Sequence, residues 1–186
     1  MGIEPAPAAW FAVPMIRALL ALALLATPCG AAPADPVHGP EIGTLEVGIF
    51  CALQAMDRMP APGTASGWIH VPTTEIRFHW PDRQVVPAAI GLAFGVRATG
   101  VPGFASASAE ARVTRPGRAT PEVWATGLSD AGSSLAFFRF DTDDELVPGL
   151  WTFEVWDGEV RLYHAEFEIV PAAALPEITE ACGAVS

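Results

Sequence analysis

The 186-residue chain contains no lysine, one tyrosine and three cysteines. It has no G-x-S-x-G elbow, no Cys-x-x-Cys pair and no glycine-rich phosphate loop. Those absences remove serine acyl transfer of the hydrolase type, dithiol redox chemistry and nucleotide phosphate binding from the functions its motifs support. All ten basic residues are arginines, scattered along the chain, and the formal net charge is −11. Nucleic acid and anionic membrane surfaces need basic patches, so neither is an expected partner. No repeat, heptad pattern or long helical periodicity is present, and no apolar run after residue 34 is long enough to cross a bilayer.

What is there begins with a leader. Arg17 precedes the apolar stretch "ALLALALLATPCGAAPA", which ends in small residues and reads as a secretory signal peptide over residues 1–34. Residues 1–14 look like an upstream extension, because Met15 starts a more ordinary signal. Ala32-Pro33-Ala34 before Asp35 is the better exit and Cys29-Gly30-Ala31 the other. A lipoprotein reading needs a small residue before Cys29, where Pro28 stands. The mature chain is therefore expected to be exported, periplasmic or secreted, without a membrane anchor, and long enough for one domain with its own core. Cleavage leaves Cys51 and Cys182. Two cysteines in an exported chain are most simply one disulfide.

Residues 35–42 form a lead-in. In "TLEVGIFC", Leu45, Val47, Ile49 and Cys51 share one face, as in a half-buried strand. The following "ALQAMDRMPAPGTASG" reads as a connector, and "WIHVPTTEIRFHW" as an edge segment broken at Pro72. In "IGLAFGVRATG", Ile90, Leu92, Phe94, Val96 and Ala98 face one way, while Gly91 and Gly95 leave room behind. "SASAEARVTRPG" is expected to turn Ala107, Ala109, Ala111 and Val113 inward. "PEVWAT" adds a strand, with Trp124 sharing an exposed face with Glu122 and Thr126. "LAFFRFD" is apolar on both faces.

"GLWTFEVWDGEVRLYHAEFEIV" is a hairpin. A two-residue turn at Asp157-Gly158 pairs Val155 with Val160, Phe153 with Leu162 and Trp151 with His164. Continued, that register turns Glu166 and Glu168 inward, so a β-bulge is expected near His164-Ala165, restoring Ala165, Phe167 and Ile169 to the core. Residues 171–186 form a tail with room for one helical turn. About seven short strands separated by turn signals predict an all-β sandwich.

"VPTTEI", "VPAAIGLAFGVRATG", "DELVPGLWTFEVWDG" and "FEIV" resemble segments of a family of uncharacterised exported bacterial proteins, a domain of unknown function. The resemblance spans roughly residues 43–170, with "RFHWPDRQ" inserted. It implies an immunoglobulin-like antiparallel β-sandwich over 43–170 and supplies no activity and no catalytic residues.

Three constellations remain. Asp141, Asp143, Asp144 and Glu145 carry alternate carboxylates, but Leu146 stands where a calcium loop needs its glycine, and an Asp-x-x-Leu-x-Pro-Gly connector explains them better. His70, His79 and Asp82 are candidates for a metal or hydrolytic site, although no close ligand pair is present. The hairpin register places Thr152, Glu154, Trp156, Arg161 and Tyr163 on the outer face of one sheet, with Glu154 opposite Arg161. Aromatics beside an arginine are the composition that binding hot spots favour. The expected function is a non-enzymatic module without a cofactor, binding an envelope protein or glycan through that face; the other readings are a small metal-handling protein or hydrolase, and a purely structural envelope protein.

Overall fold

The computed structural model describes residues 1–2, 32–53 and 56–182. The leader and Cys29 lie almost wholly outside the described residues. Twelve strands follow: β1 Val37–His38, β2 Ile42–Cys51, β3 Met56–Pro60, β4 Trp68–Pro72, β5 Trp80–Pro81, β6 Val85–Ala88, β7 Leu92–Gly100, β8 Ala105–Thr114, β9 Glu122–Ser129, β10 Ser134–Arg139, β11 Gly149–Asp157 and β12 Val160–Pro171. A short helix, α1 Pro176–Ala181, closes the described chain.

The long strands form two sheets. One runs β10-β7-β2 with β5 beyond; the other runs β9-β8-β11-β12. Counting only these long strands, the first, second and fifth lie in one sheet, and the third, fourth, sixth and seventh in the other. The immunoglobulin constant-type sandwich has the first, second, fourth and fifth strands against the third, sixth and seventh. This chain matches it except that its fourth strand pairs with the third, a topological variation within immunoglobulin-like sandwiches. The pairing is antiparallel except at β6, which runs parallel to the far end of β12. The expected lead-in also pairs, since Val37 and His38 sit against His164 and Tyr163.

Alternation explains the core. Leu92, Phe94, Val96 and Ala98 of β7 are buried, as their spacing requires. Phe94 is the hub: the rings of Phe140, Trp151, Phe153 and Phe167 lie 5.1–5.7 Å from its own, three of them edge-on. Ile90 departs from the pattern and is exposed, because it lies before the strand at the Gly91 turn.

The back of β7 is also covered. Ala93 is buried with Phe50, Ala52 and Ile76, and Phe78, Leu135 and Phe137 pack onto them. Ile76 and Phe78, between β4 and β5, fold over the outside of this sheet. A Cβ at Gly48 would fall 2.6 Å from the Phe78 ring, and one at Gly95 would fall 2.2 Å from the Ala136 carbonyl oxygen. The stretch expected to be a plain connector contributes β3, which pairs with β4 as a separate hairpin.

Two registers differ from expectation. In β8 the ladder shifts between Ser106 and Ala109, so Ser106 is buried and Ala107 exposed. In the β11–β12 hairpin, Asp157 pairs with Val160, so Gly158 and Glu159 make the turn. Gly158 alone has a positive φ there, 59°, the glycine-first pattern of a type II′ connection. The bulge lies between the Trp156–Arg161 and Val155–Tyr163 pairs, leaving Leu162 as the extra residue. It comes earlier than expected and has the expected consequence: Ala165, Phe167 and Ile169 point inward.

The tail is held at two points. Ile178 of α1 is fully buried, and Cys182 is bonded to Cys51 with the two Cα atoms 5.2 Å apart.

Candidate functional site

The outer face of the four-strand sheet carries the residues that the hairpin sequence singles out. Trp156 pairs across to Arg161 on β12 and to Glu110 on β8, and Glu154 pairs to His164 and Arg112. Glu154 is the organising group. Its Oε2 accepts the Trp156 indole N–H at 3.0 Å, and its Oε1 accepts Arg161 Nη1 at 3.0 Å. His164 Nδ1 lies 3.1 Å from the same Oε1, and its Nε2 lies 3.3 Å from Glu166 Oε1. Partial burial alone would raise the Glu154 carboxyl; the hydrogen bonds from Trp156, Arg161 and His164 outweigh it and hold the group below the ordinary glutamate value. The Glu166 carboxyl is held low first by the Ala34 backbone N–H and then by His164.

Trp156 is half-buried with a guanidinium from each flanking strand over its ring, Arg112 at 5.0 Å and Arg161 at 5.9 Å. Such contacts each contribute about 0.5–1 kcal/mol at exposed sites. The Arg161–Glu154 pair is itself exposed and contributes about 0–1 kcal/mol. The network fixes the orientation of the indole more than it stabilises the fold. Thr152 lies on the same face, opposite Glu166.

Tyr163 does not belong to this face. The bulge at Leu162 turns it inward opposite Val155, where it is 2% exposed, and burial pushes its phenol well above the ordinary value. His164 takes the outer position instead, beside Glu154 and not beside Trp151 as expected.

The metal candidates are separated by their partners. His70 Nε2 lies 2.7 Å from Asp141 Oδ2, joining β4 to the segment after β10. His79 Nδ1 accepts the Cys51 N–H at 3.2 Å, and the Asp82 N–H donates to the Val47 carbonyl with Asp82 at φ 60°. Among the described residues, no group of three or more His, Cys, Asp or Glu side chains is arranged to hold a metal ion. The acidic connector is also committed. Asp141 Oδ1 accepts Arg139 Nε, and Glu145 Oε2 accepts the backbone N–H groups of Asp141 and Thr142. Leu146 packs against the core, as the connector motif predicts.

Two features have no signal in the sequence. One is the His70–Asp141 clasp. Burial holds His70 below its ordinary pKa, the bond to Asp141 opposing but not cancelling it. Burial would raise Asp141, and its bonds to His70 and Arg139 hold it low instead. The other is a buried ion pair, Arg115 Nη2 to Glu122 Oε1 at 3.1 Å, both side chains 6% exposed. Glu122, expected on an exposed face, is enclosed because Arg115 and the Ala65 N–H come to meet it.

No known protein-family model matches the chain, and no curated protein matches it. Among solved structures, an immunoglobulin-like protein from Pseudomonas aeruginosa is similar at 18% identity, with 74% of this chain and 98% of that chain covered and a TM-score of 0.45. The immunoglobulin-like assignment rests on the strand order described above.

Proposed function

We propose that this chain is an exported, non-enzymatic β-sandwich that binds an envelope partner, protein or glycan, through the outer face of β11 and β12 around Trp156. The carrying observation is the fixed, half-exposed indole, held by Glu154 and flanked by Arg112 and Arg161. A rigid amphipathic ring among satisfied charges loses little conformational freedom on docking, and Trp and Arg lead among interface hot spots. Thr152 and Glu154 complete the proposed contact. Guanidinium groups over the indole leave less of its surface for a sugar ring, which favours a protein partner. The Cys51–Cys182 bond suits an oxidising compartment, and among the described residues no helix is long and apolar enough to cross a membrane.

The test is capture of a partner from cell envelopes by the tagged protein, compared with the double variant Trp156→Ser, Arg161→Ser. Capture is expected to fall at least tenfold while circular dichroism stays unchanged. Undiminished capture by the folded variant would move the binding surface elsewhere.

A further inference from the structure

We propose that the cavity between the β3–β4 hairpin and the edge of the sandwich binds a primary ammonium group carried on an alkyl stem. The cavity measures about 50 Å³, and its lining includes Thr64, Ser66, Trp68, His70, Glu122 and Trp124. It is too small for a sugar ring or a folded peptide, and large enough for a head group of a few heavy atoms, since about 10–15 Å³ already admits a water.

The polar lining is dominated by acceptors. The Thr64 hydroxyl donates to the Ala61 carbonyl and the Ser66 hydroxyl to the Trp68 carbonyl, each at 2.8 Å, so both oxygens keep lone pairs. His70 is 10% exposed at its side chain, and its Nδ1 is buried without a hydrogen-bond partner among the described residues. With the ring neutral and Nε2–H donating to Asp141, that Nδ1 is an acceptor. Glu122 Oε2 accepts the Ala65 N–H. Its Oε1 is buried, 3.1 Å from Arg115 and 3.8 Å from Arg118, with no aligned hydrogen bond to either. The lining guanidinium, Arg139, is engaged by Asp141 and the Ala52 carbonyl.

Glu122 Oε1 is paired with Arg115, whose own Nε and Nη1 are buried outside the lining without partners among the described residues. It is therefore His70 Nδ1, a buried acceptor in the lining with no partner there, that calls for an occupant. An ammonium carries three donors and no acceptor, which complements this set. The indole of Trp124 favours positive charge beside it, whereas the Trp68 ring already carries the Arg58 guanidinium at 3.8 Å. Arg115 and Arg118 offset Glu122, so selection rests on the acceptors and not on net charge. The chain has no lysine of its own, so the amine comes from another molecule: a free alkylamine, or a lysine side chain of a protein.

The test is an NMR titration of the full-length mature protein at pH 7.5, following the indole N–H signals of Trp68 and Trp124. The probes are n-butylamine, Nα-acetyl-lysine methylamide and n-butanol. Both amines are expected to give saturable shifts, with n-butanol at least tenfold weaker. A tenfold advantage of the lysine derivative identifies protein lysine as the source, and equal affinity identifies a free amine. Thr64→Val and Glu122→Gln are each expected to weaken the amines at least fivefold, the first removing an acceptor without touching the buried ion pair. No saturable shift, or equal binding of n-butanol, overturns the proposal and leaves a cavity filled by water or by any small solute.

Discussion

Single residues on the two sides of β11 and β12 carry different burdens. Tyr163 and Trp156 both look like surface aromatics in the sequence, yet one is core and the other is not. Tyr163→Ala is expected to cost about 3–5 kcal/mol, as for other large buried aromatics, whereas Trp156→Ala is expected to cost about 1 kcal/mol or less. Urea unfolding of the two variants reads the difference directly, and similar losses would place both rings in one environment. His70 supplies the pH dependence. Its pKa is depressed in the folded protein, so the neutral ring belongs to the docked hairpin. The stability contributed by burying the neutral ring is therefore fully present above the ordinary value of 6.5 and lost as pH falls through the lower folded value, with the bond to Asp141 opposing part of that loss. Asp141, also depressed, adds a further loss at more acidic pH. Amide exchange over residues 56–72 is expected to accelerate between pH 7.5 and 5 relative to β7, after correction for intrinsic rates. His70→Asn should remove most of that difference.

At the scale of elements, what was legible followed from simple alternation. β7 is a run with one strictly apolar face, and the structure buries Leu92, Phe94, Val96 and Ala98 accordingly. The alternation of Ala165, Phe167 and Ile169 likewise required a bulge somewhere before them. Its location was not legible, because the choice between Asp157-Gly158 and Gly158-Glu159 as turn shifts it by several residues and moves Tyr163 from one face to the other. Ser106 was hidden in the same way, behind a shift in β8 that no sequence signal marks. The His70–Asp141 clasp and the Arg115–Glu122 pair were out of reach because each closes between segments brought together only by the excursion of residues 52–81 or by a turn. The tail was legible through its cysteine. The Cys51–Cys182 bond spans 131 residues, and in the chain-entropy account a loop of that length stabilises by on the order of 4–5 kcal/mol, less any native strain. Cys51→Ala with Cys182→Ala is expected to lower stability by up to that amount and to release α1 first. Trypsin is uninformative because residues 162–186 contain neither lysine nor arginine, so intact-protein exchange at residues 172–182 is the appropriate readout. Unchanged protection there would mean that Ile178 alone holds the helix.

The whole molecule is an immunoglobulin-like sandwich with its two outer surfaces treated differently. One sheet is roofed by the segment between β4 and β5, whose Ile76 and Phe78 pack over β2 and β7. The other leaves its outer face open, with a fixed tryptophan among paired charges. A small sandwich fills its interior with side chains, so contact with a large partner has to use a surface. The open face is where the proposed docking occurs, and Met59 on the hairpin provides an exposed comparison point. Site-specific photo-crosslinking in intact envelopes separates them: a benzophenone side chain is placed at Thr152, beside the Trp156 network, or at Met59. A discrete adduct from position 152 and none from position 59 is the predicted result. An adduct from position 59 alone, or from neither position, would contradict binding through the open face.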